Sequence, residues 1–143
     1  MSGHRPAIAL GYAAFVQLRH RPYEQYVRAR LGDGEVSRQV VQHALRRTEL
    51  SWAAMLASDP AAFAWRVLGE VVAEALASAP HPDADSLHRT LPARAADAAL
   101  LHEHLGMSAD EAAELMGLAE PELHVELRAA RRLLAERRGH TTA

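Results

Sequence analysis

The chain has 143 residues, with 16 basic side chains against 18 acidic ones, and a formal net charge of −2. Cysteine is absent, which excludes disulfides and thiolate metal sites. Arg, Glu or His interrupts every apolar stretch before it reaches the roughly 18 residues that a membrane span needs, and the first six residues do not resemble a signal peptide. We therefore expect a small cytoplasmic protein that does not contact a membrane.

Helix-breaking residues divide the amino-terminal half of the chain. A helical region is predicted over about residues 7–78, interrupted near Pro22 and turned at Gly32-Asp33-Gly34. Asp59 is a favourable N-cap and Pro60 suits the first helical position, so a third helix is expected to start there. The aromatic side chains of this half are expected mostly in the core: Tyr12, Phe15, Tyr23, Tyr26, Trp52, Phe63 and Trp65.

Closely spaced prolines in residues 79–85 oppose both helix and sheet and mark a linker. A second helical region is predicted from about residue 86 to residue 138. Because strand-like alternation is nearly absent, the fold is expected to be all-α. The predicted organisation is two small helical domains, at residues 1–78 and 89–143, joined by a linker at residues 79–88.

The carboxy-terminal half contains the local pattern of two helices joined by a tight turn. Ser108 and Glu111 have the spacing of a capping box, Gly117 can end a helix in the left-handed conformation, and Pro121 fits a first helical turn. Helices are therefore expected near residues 109–116 and 121–136. The apolar residues of the second helix fall on one face: Leu123, Leu127, Ala130 and Leu134.

Residues 91–134 carry a recognisable series of motifs. They are Leu91-Pro92-Ala93-Arg94, Gly106-Met107-Ser108, Glu111-Ala112-Ala113, Met116-Gly117-Leu118, and a closing Ala130-Arg131 before Leu134. This stretch resembles the C-terminal helix-turn-helix of sigma-70 factors of the extracytoplasmic-function type. The resemblance implies a transcription regulator whose second helix is placed in the DNA major groove.

The amino-terminal half carries a weaker form of the same resemblance, in Tyr26-Val27-Arg28, Leu31-Gly32-Asp33 and Val40-Val41-Gln42. These motifs are similar to the domain by which such factors bind core RNA polymerase. The resemblance implies polymerase contact by three residues, of which the first two replace the acidic pair usual in the family: Arg38, Gln39 and Gln42. No Arg occurs between Arg66 and Arg89, so this half has few groups with which to hold single-stranded DNA.

The positions that the resemblance assigns to DNA contact carry unusual charges. Residues 108–127 contain six acids and no Arg, whereas DNA affinity depends on cations that neutralise phosphates. The base-contacting positions hold Glu122, His124, Val125 and Glu126, and positive charge resumes only at Arg128, Arg131 and Arg132. These arginines either contact phosphate or form a solvated face that balances the helix dipole. Weak DNA binding is expected.

Other chemistry has little support in the sequence. His102 and His104 lie two residues apart and would point in different directions from a helix, unlike histidines four apart that share a zinc ion. No nucleophile motif or phosphate-binding glycine loop is present, so we expect neither an enzyme, nor a metal site, nor a cofactor.

Two function hypotheses remain. One is a sigma-type regulator that acts through RNA polymerase, promoter DNA or an anti-sigma-like protein. The other is a sigma-derived interaction module, binding an anti-sigma protein or forming a homodimer, that no longer binds DNA. The halves are expected to pack together, with Trp65 or its neighbours meeting the second half or another chain, because a protein that need not hold its domains apart on polymerase can bury apolar surface between them.

Overall fold

The fold, taken from a computed structural model, is described for residues 4–78 and 85–141, with side chains over residues 11–78 and 85–139. No strand occurs in these ranges, and the all-α prediction is confirmed. In chain order the elements are α1 (His4–Leu31), α2 (Glu35–Leu50), α3 (Trp52–Met55), α4 (Pro60–Ser78), α5 (Ser86–Thr90), α6 (Ala93–Ala99), a π-helical segment (Leu100–His104), α7 (Ala109–Met116) and α8 (Glu120–Thr141).

Helix α1 runs without a break through Pro22, so the predicted interruption there is wrong. A proline inside a helix removes one backbone hydrogen bond and costs about 3 kcal/mol. The following residues outweigh this cost because Tyr23, Tyr26 and Val27 are almost completely buried, and each large buried side chain contributes about 1.5–3 kcal/mol. Tertiary packing therefore holds α1 together across its proline.

The turns around α2 and α4 follow their local sequence. Gly32 ends α1 with a φ of 94°, as the Gly-Asp-Gly turn predicted. The N-cap at Asp59 is confirmed, since its Oδ1 accepts a hydrogen bond from the Ala62 N–H at 3.3 Å. The helix that starts at Pro60 is the fourth helix and not the third, because the short α3 precedes it.

The predicted linker, residues 79–88, is only partly described. Residues 79–84 lie outside the described residues, and residues 86–88 belong to α5, so the linker does not extend as far as predicted. The second helical region begins at Ser86, where it was expected. The division into two domains stays a prediction.

The two halves of the chain share one buried apolar cluster. It includes Val27, Trp65 and Leu68 from the first half together with Leu101 and Leu123 from the second. A smaller cluster joins α6 to the later turns of α8 through Ala96, Ala99 and Ala130. Burial of Trp65 at this junction confirms the expectation that it meets the second half.

Within residues 4–78 and 85–141, every helix is too short or too polar to cross a lipid bilayer.

Candidate nucleic-acid interface and buried polar cluster

Helix α7 begins and ends at the caps that the sequence predicted. The Ser108 hydroxyl accepts a hydrogen bond from the Glu111 N–H at 3.0 Å, and Gly117 ends α7 with a φ of 73°. Helix α8 begins at Glu120, one residue earlier than predicted. At its start the Ala119 N–H donates to the Glu122 carboxylate at 3.0 Å, so Glu122 caps the helix as well as lying on its surface.

The four residues predicted to contact bases lie in the first turns of α8. Glu122, His124 and Val125 are exposed, and Glu126 is half-buried. Glu122 lies 3.7 Å from an Arg94 guanidinium nitrogen, and His124 lies 3.5 Å from the Glu120 carboxylate. A DNA phosphate approaching this surface would therefore meet carboxylates first.

The three predicted phosphate-contacting arginines are exposed on α8, but they are not equivalent. Arg131 is engaged by the Glu103 carboxylate at 2.8 Å. Within the described part of the chain, Arg128 and Arg132 form no ion pair. Only these two of the predicted set are thus available for phosphate without giving up an existing contact.

The residues predicted to bind polymerase lie on α2. Arg38, Gln39 and Gln42 are all exposed and share one side of the helix. Arg38 pairs with Glu35 at 2.8 Å. In residues 11–78 and 85–139, no hydrogen bond or ion pair connects them to the predicted DNA-contacting residues of α8, so the structure places the two sets on separate elements.

A polar cluster that the sequence did not predict as a unit lies buried between the two halves. We call it the bridging cluster, and its members are Tyr26 and Arg30 of α1, Trp65 of α4, Asp85 and His88 at the start of α5, and Asp97 of α6.

Asp97 is the centre of the bridging cluster. Its carboxylate accepts the Tyr26 hydroxyl at 2.6 Å and the Trp65 indole N–H at 3.0 Å. The His88 Nε2 lies 2.6 Å from the same carboxylate. One acid of the second half therefore holds helices α1 and α4 of the first half.

Arg30 makes the second link between the halves. Its guanidinium donates two hydrogen bonds to the Asp85 carboxylate, at 2.7 and 3.0 Å, and a third to the Tyr26 hydroxyl at 3.0 Å. This two-point geometry is the strong form of an ion pair. Asp85 has a left-handed φ of 65°, a conformation that Asp adopts only occasionally.

Two side chains of the bridging cluster, Tyr26 and Arg30, have raised pKa values. Burial raises the pKa of Tyr26 well above its ordinary value, and the nearby Asp97 charge raises it further while Arg30 opposes. Burial alone would lower the pKa of Arg30, but its hydrogen bonds with Asp85 and Tyr26 and the charge of Asp85 outweigh this and raise the pKa. Tyr26 therefore stays a neutral donor and Arg30 stays a cation.

The sequence held one signal for this cluster. Asp97 lies in a run in which Ala95, Ala96, Ala98 and Ala99 are all small and apolar, and all of them are buried. Asp97 is buried among them, and a buried carboxylate requires hydrogen-bond donors. Its partners could not be identified from the sequence, because Tyr26 and Trp65 lie 71 and 32 residues away.

The bridging cluster joins helices through hydrogen bonds, and the His88 side chain is only 6% exposed, so a substrate in solution does not reach it. No group of three or more His, Asp or Glu side chains in the described ranges is placed to bind a metal ion. No protein-family model matches this chain, and no curated protein matches it.

Proposed function

We propose that this chain is a transcription regulator of the sigma-70, extracytoplasmic-function kind that acts through a protein partner and binds promoter DNA weakly. RNA polymerase is the partner that the resemblance implies, and an anti-sigma-like protein is the other. This function places the protein in the cytoplasm, where transcription takes place.

The main support for the proposal is that two arginines beside α8 are already paired with carboxylates. Arg94 lies against Glu122 and Arg131 lies against Glu103, so two of the cations near the supposed DNA surface already face carboxylates. Phosphate neutralisation provides most of the affinity of proteins for DNA. A regulator with this surface depends on a partner for its position on a promoter.

The exposed side of α2 supports the choice of partner. Arg38, Gln39 and Gln42 lie where the resemblance places polymerase contact, and none of them is buried in the fold. Their side chains can therefore reach a partner without any rearrangement of the two halves.

Binding of the purified protein to core RNA polymerase tests the proposal. The double variant Gln39→Ala, Gln42→Ala should bind at least tenfold more weakly than wild type, about 1.4 kcal/mol. The matched control is Gln17→Ala, Gln25→Ala, which removes two exposed amides from α1 and should bind like wild type. Absence of polymerase binding by the wild-type chain, or equal weakening by both variants, would contradict the proposal.

A second candidate function, promoter recognition by α8 itself, is favoured by the free guanidinium groups of Arg128 and Arg132. Two phosphate contacts predict a log–log salt slope of about −1.8 for duplex binding. The variant His124→Lys, Glu126→Arg should steepen that slope, and it leaves the Glu122 cap intact. Tight, sequence-specific binding by the wild-type chain would favour this second function.

The interaction-module hypothesis predicts a different result. The chain would then bind an anti-sigma-like protein, or a second copy of itself, and would no longer bind DNA. Sedimentation of the purified chain gives its oligomeric state and so distinguishes a homodimer from a monomer that binds another protein.

A further inference from the structure

A cleft of about 380 Å³ opens between α1 of the first half and α7 of the second half. The loop that follows the π-helical segment, Leu105-Gly106-Met107, also lines it. Space around Gly106 is open, since a Cβ at this position would meet no atom within 4 Å. Small-molecule sites are usually clefts of about 300–1,000 Å³, so this cleft has the size of a ligand site.

Helix α1 turns one face toward the cleft. The residues of this face that line it are Leu18, Arg21, Pro22 and Gln25. Their spacing is that of a single side of a helix. Leu18 is 72% exposed, so the fold leaves a large apolar side chain unpacked beside the cleft. This wall therefore combines apolar surface with the positive charge of Arg21.

Helix α7 contributes the opposite charge. Glu111, Glu114 and Leu115 line the cleft, and they too share one side of their helix. Arg19, the other cation in the lining, donates to the Glu114 backbone carbonyl at 3.3 Å and lies 4.3 Å from the centre of the Phe15 ring. Arg19 thus connects the two walls, and Arg21 is the cation that is left for a ligand.

The charged groups of the two walls are available to a ligand. In residues 11–78 and 85–139, no ion pair involves Arg21, Glu111 or Glu114. By contrast Glu24, which is also on α1, lies 3.4 Å from His20 and 3.7 Å from Arg28. A ligand with one negative and one positive group would therefore meet charges that have no ion pair to give up.

We propose that this cleft binds a short apolar peptide with free termini. Arg21 binds the carboxylate, Glu111 and Glu114 bind the ammonium group, and the apolar side chains of the peptide pack against Leu18 and Leu115. Even packed helices have their axes about 8–10 Å apart, and an extended residue spans about 3.3–3.6 Å. A peptide of about two or three residues can reach both walls, whereas the two charges of a single amino acid are too close together.

Peptide binding at this cleft requires neither polymerase nor DNA, so it goes beyond the function proposed above. Titration calorimetry of the purified full-length chain with the tripeptide alanyl-leucyl-alanine tests it. One peptide should bind per chain, with a Kd of about 1 mM or below. Acetylation of the amino terminus and amidation of the carboxy terminus should each weaken binding at least about tenfold, because each removes one charge. No saturable binding of the tripeptide, or equal affinity for free leucine or for the blocked peptides, would overturn the proposal.

Variants assign the two ends of the peptide. Arg21→Gln should weaken binding of the free tripeptide at least about tenfold but leave binding of the amidated form unchanged, since that form has no carboxylate. The double variant Glu111→Gln, Glu114→Gln should likewise weaken binding of the free tripeptide and not of the acetylated form. The matched controls Arg46→Gln and Glu136→Gln replace exposed charges outside the cleft and should bind like wild type. Equal weakening by the controls would contradict the assigned contacts.

Backbone amide signals in NMR spectra of the wild-type chain locate the peptide even if a variant fails to fold. Binding of alanyl-leucyl-alanine should shift the signals of Gly106 and Met107, which line the cleft. The signals of Val40 and Val71, which line a separate groove between α2 and α4, should stay unchanged. Shifts at that groove and not at the cleft would overturn the proposal.

Discussion

The buried carboxylate of Asp97 links the second half of the chain to two helices of the first half. Asp97 is the only charged residue in α6 apart from the exposed Arg94, and it accepts donors from two helices of the other half. Asp97 matters because each hydrogen bond adds little net stability, whereas each buried donor left without an acceptor costs about 1–3 kcal/mol.

Replacement of Asp97 by Ala should therefore be strongly destabilising. It leaves the Tyr26 hydroxyl and the Trp65 indole N–H without their acceptor, and His88 without one of its carboxylates. We expect a loss of about 3–5 kcal/mol in the free energy of unfolding, measured by urea unfolding. Asp110→Ala, at an exposed position, is the control and should change stability by less than about 0.5 kcal/mol. Similar losses in the two variants would argue against a structural role for the cluster.

Gly117 combines a left-handed backbone with a close approach between the halves. A Cβ at this position would lie against the backbone nitrogen of Ala62 and 2.5 Å from its Cα. Gly106 has a similar φ of 74°, but a Cβ there would meet nothing within 4 Å. Alanine substitutions at these two glycines therefore distinguish the cost of backbone strain from the cost of steric overlap.

Gly106→Ala should cost about 1–2 kcal/mol, the penalty for a left-handed non-glycine residue. Gly117→Ala should cost at least about 1–3 kcal/mol more, the usual price of overpacking, because the start of α4 must move away from the α7–α8 turn. Thermal and urea unfolding of both variants provide the measurement. Equal losses would mean that the turn and α4 do not touch.

Among the single helices, α1 shows that tertiary packing can outweigh a helix-breaking proline, Pro22. Pro22 leaves one carbonyl of the helix without its usual N–H donor, yet the helix continues for nine residues beyond it to Leu31. Those nine residues include Tyr26 and Arg30, both members of the bridging cluster, so the continuation of α1 is needed to build the junction.

Pro22→Ala should consequently stabilise the chain by about 1–2 kcal/mol, since the restored helix bond exceeds the roughly 0.4–1 kcal/mol lost through a more flexible unfolded state. Pro60→Ala is the matched control. Pro60 occupies the first position of α4, where its missing N–H costs nothing, so its replacement should be neutral or slightly destabilising. Destabilisation by Pro22→Ala would indicate that the packing of α1 requires the proline itself.

On the scale of the whole molecule, all three tyrosines of the chain belong to the shared core or lie against it. Burial raises the pKa of Tyr23 and Tyr26, with Arg19 and Arg30 opposing only in part. The pKa of Tyr12 is raised by burial and by the charge of Glu49. The folded chain thus keeps its phenols protonated at a pH at which the unfolded chain ionises them.

This predicts a cooperative alkaline transition. Below pH about 10 the phenols are neutral in both states and the stability is retained; above it only the unfolded chain releases protons, so stability falls with rising pH. Tyrosinate absorbance should then appear together with the loss of helical circular dichroism. Tyr23→Phe should make the loss of stability with pH less steep. Tyrosinate forming in a fully helical chain would contradict the raised pKa values.

The sequence alone determined those features that depend on neighbours along the chain. The caps at Asp59 and Ser108 and the stop at Gly117 involve groups three residues apart or one backbone angle. The leucine spacing of α8 correctly predicted the burial of Leu123, Leu127 and Ala130, while Leu134 is only half-buried. Local rules suffice there because the interacting atoms are close in sequence.

Features that depend on residues far apart in the sequence were decided only by the tertiary structure. Packing allows α1 to continue past Pro22, Arg131 pairs with Glu103 across 28 residues, and Arg30 pairs with Asp85 across 55. A buried charge selects its partner by where folded helices bring donors and acceptors together, and no local pattern contains that information. The acidic face of α8 was therefore visible in the sequence, whereas the bridging cluster became visible only once the halves were packed.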